Sequence, residues 1–386
     1  MKFGIITLVS DNYGNKYQNY AVEQLLSKYG DVETFGLEEL YHAENTEHNT
    51  RLQKFSPQYI RDVLIYRTMY TYDINRVDRG VLRNYFFSKK NSRELLALKE
   101  RRNEKFVDFS RRYMHISKTL LNRMNTDRDW SDQYDFFICG SDQIWNPSYA
   151  TTSELAFCSF APEKTICLAP SFGVSRIPDS RRQEYAAYLR KIYCLSVRED
   201  AGQRIIEELS GRKVEVLLDP TMIVPTKTWE AICKKPGNEL PENYVACYFL
   251  GKINKDYIRK INTFAAEKHL PVVMLFDITT PEYYTYDPGE VLYVMNNAEY
   301  ILTDSFHGSV FSILFHKNFY VFRRNEGRNS MNSRLETLLK RFDLEDRCSE
   351  KTKDIETTRW NQIDQYLEEE RKKTKDFLSD AIEKVG

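Results

Sequence analysis

Several motifs are absent from this 386-residue chain, and their absence argues against several kinds of binding site. It has no Gly-x-Gly-x-x-Gly or Walker-type loop, which argues against dinucleotide and ATP chemistry. Its seven cysteines include no Cys-x-x-Cys pair, so neither a zinc site nor a disulfide framework is indicated, and we expect reduced, mostly buried thiols. No histidine or carboxylate spacing indicates a metal, and we predict no resident metal or cofactor.

Long apolar runs and a net charge are also missing. The N-terminal apolar run over 3–9 is too short for a signal peptide, and no later run approaches membrane-spanning length. We therefore expect a cytoplasmic protein. Lys plus Arg equals Asp plus Glu, at 56 each, so the whole chain offers no electrostatic reason to expect nucleic acid as a partner.

One region is nevertheless locally basic. Residues 51–128 carry 19 Lys and Arg against 8 Asp and Glu, among many Tyr and Phe. The simplest interpretation is a solvated helical face. The alternative is a peripheral contact with anionic lipid on the inner face of the cell membrane, or with a pyrophosphate-bearing acceptor. Charges expected to contribute to such binding include Arg101, Arg102, Arg111 and Arg112.

Elsewhere, short apolar strands alternate with helices and end in polar loops. Strands are predicted at 3–9, 135–139, 166–169, 194–197, 214–218, 245–251, 272–276, 300–302 and 319–322. This alternation predicts an α/β fold with parallel sheets covered by helices on both faces. In such sheets, ligands collect beyond the carboxyl ends of the strands.

The chain length and one stretch rich in helix breakers predict two lobes. A chain this long exceeds what one hydrophobic core usually serves, and 234–241 is polar with two prolines and a glycine. We expect a first α/β lobe over 1–233, with a helical insertion at about 44–132, and a second over 234–350. A C-terminal amphipathic segment over 351–386, one helix or a pair, is expected to pack back on the first lobe.

The turn after the strand at 300–302 is the strongest candidate for a functional site. Ser305 is placed to cap a helix, whose first N–H groups and dipole favour a phosphate or carboxylate. His307 in the same turn can exchange a proton near neutral pH. Taken alone, such a histidine is more often a hydrogen-bonded structural residue than a catalyst, and Ser305 is as readily a plain cap.

Several loops, taken together and in this order, resemble the polysaccharide pyruvyl transferase family. The motifs are Asn12-Tyr13-Gly14, Gly140-Ser141-Asp142-Gln143-Ile144-Trp145-Asn146, Ser171-Phe172-Gly173, Ser196-Val197-Arg198-Glu199, Leu218-Asp219-Pro220-Thr221 and Thr303-Asp304-Ser305-Phe306-His307-Gly308. Each motif is weak alone, but their order and spacing are specific. The insertion and the C-terminal segment lie outside the resemblance.

The resemblance implies a two-lobed fold of the GT-B type and a ketal-forming transferase. Such an enzyme moves a pyruvyl group from phosphoenolpyruvate, its co-substrate, onto two hydroxyls of a sugar and releases phosphate. The implied acceptor is a capsule or exopolysaccharide precursor on a lipid-pyrophosphate carrier, with the acceptor on the first lobe and the donor on the second. Because phosphoenolpyruvate carries a carboxylate and a phosphate, its site needs fixed positive charge, aimed N–H donors, and an acid and a base.

The resemblance makes His307 the acid/base candidate and assigns the donor to an arginine and the turn around His307. Many relatives carry Arg-Leu-His-Gly where this chain has Ser305-Phe306-His307-Gly308, so one arginine is missing. Arg198 is the first source of charge, although a surface pair with Glu199 or Asp200 is an equal alternative. The remaining donor-binding candidates are Ser305, Phe306, Gly308 and Ser309 in the turn, and Arg323, Arg324, Arg328 and Arg334, at least one of which we predict replaces the missing arginine.

Candidates for the acceptor lie in two loops of the first lobe. Asp142 and Gln143 offer groups suited to sugar hydroxyls, and Trp145 offers a flat apolar face. The alternative is that Asp142 caps a helix and Trp145 belongs to the core. A third wall of the cleft is assigned to Asn12, Tyr13, Gly14 and Asn15, although Asn-Tyr-Gly is also an ordinary turn sequence.

Two other functions remain open from the sequence. One is a glycosyltransferase of the same two-lobed fold that uses a nucleotide-sugar donor. The other is a non-catalytic sugar-binding or assembly protein. Fold alone does not separate these possibilities.

Overall fold

The computed structural model describes residues 1–38, 89–149, 152–251, 253–324, 332–348 and 358–384. Within them, ten strands form two four-stranded sheets and one two-stranded pair. The strands are β1 (Lys2–Ile6), β2 (Asp31–Phe35), β3 (Phe136–Cys139), β4 (Thr165–Cys167), β5 (Ser196–Val197), β6 (Glu215–Val216), β7 (Val245–Tyr248), β8 (Val272–Met274), β9 (Tyr300–Thr303) and β10 (Asn318–Val321).

The α-helices of the described segments are numbered here in chain order. They are α1 (Tyr13–Leu26), α2 (Lys89–Tyr113), α3 (Arg128–Ser131), α4 (Arg182–Lys191), α5 (Asp200–Ser210), α6 (Pro220–Ile223), α7 (Thr226–Glu230), α8 (Lys255–Glu267), α9 (Pro281–Tyr284), α10 (Pro288–Asn296), α11 (Phe306–Leu314), α12 (Asn332–Arg341) and α13 (Trp360–Glu383).

Both sheets are parallel throughout. The first lobe has the strand order β2-β1-β3-β4, and a bridge from Ile166 to Cys194 carries it toward the β5-β6 pair. The second lobe has the order β10-β9-β7-β8. Parallel neighbours require crossover connections, which the helices between the strands supply. The predicted α/β class, with parallel sheets in two lobes, is confirmed.

Strands β3 and β7, in the interior of their sheets, are apolar along their length, as expected where helices cover both faces of a sheet. All four residues of β3 are buried, as are all four residues of β7. The predicted strands at 245–251 and 272–276 end earlier, at Tyr248 and Met274. Beyond the end of β8, the ring of Phe276 contacts that of Tyr13 in the first lobe.

The C-terminal segment forms one helix, α13, which packs on the first lobe. The Arg371 guanidinium donates to the backbone oxygens of Met222 and Val224, 3.2 Å away in each case. These carbonyls close the C-terminal end of α6, where helical carbonyls have no partner in their own helix. Helix α13 therefore supports the short helix whose first turn is capped by Asp219.

Residues 51–88 of the basic region lie outside the described segments, and helix α2 is the main element of its described part, 89–128. Arg101, Arg111 and Arg112 are exposed on it, as the predicted basic face requires. Arg102 is not part of that face, because its guanidinium lies among aromatic rings between the lobes. Across the described segments, no helix has the length and apolar character needed to cross a membrane.

Candidate active site

The candidate site lies where the strand ends of the first lobe meet the turn after β9. Asp142 follows β3, Arg198 follows β5 and Asp219 follows β6, while His307 comes from the second lobe in the first turn of α11. All four side chains are buried, and Arg198 and His307 are only 4% and 6% exposed. The structure thus brings together residues far apart in the chain.

Asp142 is the centre of the polar network. Its Oδ1 accepts hydrogen bonds from Arg198 Nη2 at 3.1 Å and from Arg334 Nη1 at 3.3 Å. Its Oδ2 accepts from Asn15 Nδ2 at 2.6 Å. Burial alone would raise the pKa of Asp142, but the guanidinium groups of Arg198 and Arg334 hold it below its ordinary value. This carboxylate is therefore charged and draws both arginines to one point.

Arg198 bridges two carboxylates of the first lobe. Besides Asp142, it donates a hydrogen bond to Asp219, which is 1% exposed. Burial opposes charge at both positions, yet the ion pair lowers the pKa of Asp219 to about 2 and raises that of Arg198. The alternative of a surface pair with Glu199 or Asp200 is wrong, because Arg198 is buried and bonded elsewhere.

Arg334, on α12 of the second lobe, is the candidate arginine that reaches the network. Burial, and then the neighbouring charge of Arg198, lower its pKa to about 10. Arg324 instead lies 3.3 Å from Asp304, and Arg323 lies 3.8 Å from Glu336 with 42% of its side chain exposed. Arg328 lies outside the described residues.

Phe306 contacts both network arginines. Its ring centroid lies 4.7 Å from the guanidinium carbon of Arg198 and 5.7 Å from that of Arg334. An aromatic face attracts a cation, and more strongly where water is excluded. The Phe306 ring therefore offsets part of the repulsion between the two arginines.

His307 presents an imidazole nitrogen without a partner to this network. Its Nε2 is buried, forms no hydrogen bond within the described structure and lies 4.0 Å from Asp219 Oδ2. Burial lowers the pKa of His307, an effect that Asp219 and Asp142 oppose only in part. The ring is therefore neutral at neutral pH and suited to accept a proton.

Gly14 makes room for His307. A Cβ atom at this position would lie 2.8 Å from His307 Cε1 and closer still to Nδ1. The glycine of the Asn12-Tyr13-Gly14 motif therefore allows α1 to pack directly on the imidazole. This is a contact between the two lobes at the site itself.

We expect Gly14→Ala to destabilise the protein by about 1 to 3 kcal/mol, since an added methyl group overpacks the site. Alanine favours helix over glycine by about 1 kcal/mol, so a net loss must come from the clash with His307. Denaturant unfolding measures this, with Gly237→Ala as the control, because a Cβ there meets no atom within 4 Å. A Gly14→Ala protein as stable as the wild type would contradict the packing argument.

The other residues of the turn are engaged in the helix start. Ser305 is the N-cap, and its Oγ accepts from the backbone N–H of Gly308 at 3.3 Å. The hydroxyl of Ser309 donates to the backbone oxygen of Ser305 at 3.1 Å. Both serines are buried, so their hydroxyls organise the turn that holds His307.

Two of the predicted acceptor residues belong to the core. Trp145 is fully buried, stacks on Phe157 at 5.0 Å and donates to the backbone oxygen of Ala156. Its predicted role as a platform for a sugar ring is wrong, and the core alternative is correct. Tyr13 is likewise buried, and its hydroxyl donates to the backbone oxygen of Tyr286 at 2.7 Å.

The remaining predicted acceptor residues take supporting positions. Asn12 is the N-cap of α1, and Asn15 holds Asp142 and accepts from the Ser10 hydroxyl at 2.6 Å. The amide of Gln143 lies 2.8 Å from an Arg334 nitrogen when its oxygen is turned toward the guanidinium. Asp142, predicted as a sugar ligand or a helix cap, is the hub of the ion network instead.

Two buried carboxylates at the site, Asp219 and Glu199, were not predicted as site residues from the sequence, although both belong to the family motifs. Asp219 pairs with Arg198. Glu199 accepts hydrogen bonds from the Ser171 hydroxyl at 2.9 Å and from the Phe172 N–H at 3.0 Å, and burial raises its pKa. The available signal was position, since both follow short apolar strands where ligand-binding residues collect.

Comparison with known proteins identifies the family to which the chain belongs. The chain is a two-lobed α/β protein in which a histidine and two arginines are buried where the lobes meet. The polysaccharide pyruvyl transferase family model matches residues 12–326, so the chain belongs to that family. No curated protein matches the chain significantly.

Solved structures that resemble the chain do so at low identity. UDP-GlcNAc 2-epimerase from Neisseria meningitidis, bound to UDP-GlcNAc, is 13% identical, with 100% of each chain covered and a TM-score of 0.43. The glycosyltransferase SnogD from Streptomyces nogalater is 11% identical, with 99% of each chain covered and a TM-score of 0.39.

Proposed function

We propose that this transferase moves the pyruvyl group of phosphoenolpyruvate onto two hydroxyls of a sugar in a surface polysaccharide precursor. The observation that carries the proposal is the convergence of Arg198, Arg334 and His307 in one buried site. Both His307 Nε2 and Arg198 Nε lie there without a hydrogen-bond partner. Buried polar atoms in proteins are normally paired, so these two atoms are available to a ligand that enters the site.

The arginine pair suits a donor with two anionic groups. A guanidinium offers up to five N–H donors in a planar fork that matches carboxylate and phosphate geometry. In the structure, the Asp142 carboxylate receives one hydrogen bond from each arginine. The carboxylate or phosphate of the donor presents the same acceptor chemistry, so it would take over or share these contacts.

His307 is suited to the proton transfers of ketal formation. In the first step, one sugar oxygen bonds to C2 of phosphoenolpyruvate while a proton is added to the methylene carbon. His307 would accept the hydroxyl proton and return it to that carbon. In the second step, another sugar oxygen displaces phosphate from C2, and the released proton leaves with the phosphate. Positioned acid/base catalysis of this kind is worth about 10² to 10⁴ in rate.

A sugar acceptor is consistent with the family, and we also propose the carrier to which that sugar is attached. We propose a lipid-pyrophosphate-linked acceptor, brought to the site by peripheral contact of exposed basic residues of α2 with an anionic membrane. Arg101, Arg111 and Arg112 are the described candidates. Binding to anionic vesicles that weakens with salt is the expected result, and no binding at low salt would remove this part.

Product analysis tests the chemistry. The protein is incubated with phosphoenolpyruvate labelled at its methylene carbon and with a panel of oligosaccharide acceptors. We expect the label to enter an acceptor as a ketal, with one phosphate released for each label transferred. Transfer of a sugar from a nucleotide-sugar donor would favour the glycosyltransferase alternative. Sugar binding without transfer from either donor would favour the non-catalytic one.

A further inference from the structure

Arg102, on helix α2 of the insertion, occupies an aromatic cage between the two lobes. Its guanidinium carbon lies 5.0 Å from the ring centroids of both Tyr13 and Tyr284, 5.4 Å from that of Phe106 and 5.8 Å from that of Phe276. Tyr13 begins α1 of the first lobe, whereas Phe276 and Tyr284 belong to the second. One side chain of the insertion thus joins all three parts of the molecule.

The cage fixes the first residue of α1 in several ways. The Tyr13 ring lies 4.6 Å from Phe106 and 4.7 Å from Phe276, measured between centroids. Its hydroxyl donates to the backbone oxygen of Tyr286 across the lobe boundary, and the Arg102 guanidinium lies over the rings of both Tyr13 and Tyr284. A desolvated cation over aromatic rings is among the stronger contacts of its kind.

Tyr13 is followed directly by Gly14, which packs on the imidazole of His307. The first turn of α1 therefore touches the Arg102 cage on one side and the candidate catalytic histidine on the other. We propose that Arg102 is a positioning residue: it holds the start of α1 against the second lobe, and so keeps His307 buried beside Asp219. Its predicted effect on turnover rests on the proposed function.

The pKa of His307 indicates whether the start of α1 is held against the second lobe. The charged groups that act on it are Asp219, Asp142, Arg198 and Arg334, and burial is the largest cause of its lowered pKa. The aromatic cage contains none of these four groups. Loss of the cage would admit water to the imidazole without changing its charged neighbours. The pKa of His307 should then rise toward the ordinary histidine value of about 6.5.

The test compares Arg102→Met with Arg101→Met, its exposed neighbour on the same helix. NMR titration of the histidine rings follows the pKa of His307, assigned by its disappearance in His307→Gln. We expect a raised pKa in Arg102→Met and a wild-type value in Arg101→Met. In turnover, Arg102→Met should lower kcat by about tenfold to a hundredfold, with the KM for phosphoenolpyruvate unchanged because both arginines of the site remain.

Two results would overturn the inference: a wild-type pKa of His307 in folded Arg102→Met, or the same shift in Arg101→Met. If Arg102→Met does not fold, Tyr284→Leu removes one ring of the cage and should give a smaller shift in the same direction. An unchanged pKa in that variant counts against the inference. The titration needs no substrate, so it separates a failure of this inference from a failure of the proposed function.

Discussion

Replacing His307 with Gln should lower kcat by about a thousandfold, within the range of positioned acid/base catalysis. Glutamine keeps a polar side chain of similar size against Gly14 and Asp219 but cannot carry a proton between substrate atoms. Phosphoenolpyruvate binding should persist, because Arg198 and Arg334 are untouched. Turnover and donor binding, measured on the same preparation, separate these two effects.

The pH dependence supplies a second readout of His307. Its pKa lies below the ordinary value because the ring is buried. The neutral ring that acts as the base is present at neutral pH and is lost as the pH falls through that lowered pKa. We expect the wild-type rate to decline on the acid side and the residual rate of His307→Gln to lack this decline. Near-normal turnover in His307→Gln would exclude the acid/base role.

Replacing Arg198 with Met should destabilise the protein by about 3 to 5 kcal/mol at neutral pH, because it leaves buried carboxylates without their partner. Asp219 loses its ion pair with Arg198, and Asp142 keeps Arg334 as its cationic partner among the described residues. Denaturant unfolding measures the loss. Donor binding should also be lost, since one of the two arginines that hold the anion is gone.

The destabilisation of Arg198→Met should depend on pH. In the wild type, the folded pKa of Asp219 is about 2, below the unfolded value of about 3.9, so the ion pair stabilises the fold above that range. Without Arg198, burial raises the pKa of Asp219, and protonation relieves the cost of the buried charge. The difference from the wild type should therefore be largest near neutral pH and shrink as the pH falls toward about 4.

A matched surface pair provides the control for Arg198. Arg176 and Asp179 are 2.8 Å apart, and their side chains are 70% and 77% exposed. Arg176→Met should change stability by no more than about 1 kcal/mol, because solvent screens such pairs. If Arg198→Met costs no more than Arg176→Met, the buried network does not hold the site together.

The sequence predicted the fold through local patterns and the site through motifs. Apolar runs that end in polar loops are local signals, and each of the motif residues Asp142, Arg198 and His307 follows such a run. Trp145 was ambiguous because an aromatic residue beside a polar loop suits either a core or a sugar platform. Only the surrounding rings, Phe157 and Phe172, decide between them.

The contribution of Arg334 depends on tertiary packing. Four candidate arginines follow β10, and their order along the chain does not indicate which one points at Asp142. Helix α12 carries Arg334 back to the site, while Arg324 pairs with Asp304. The Arg102 cage could not be predicted from the sequence for the same reason, since its rings come from three separate parts of the chain.

Thermal unfolding with added donor tests the central claim most directly. A ligand that binds only the folded state stabilises it, by about 2.7 kcal/mol at a hundred times its Kd. We predict that phosphoenolpyruvate raises the Tm and that UDP-glucose and UDP-N-acetylglucosamine do not. The rise should be reduced in Arg334→Met and kept in Arg323→Met. Stabilisation by a nucleotide sugar, with none by phosphoenolpyruvate, would contradict the account.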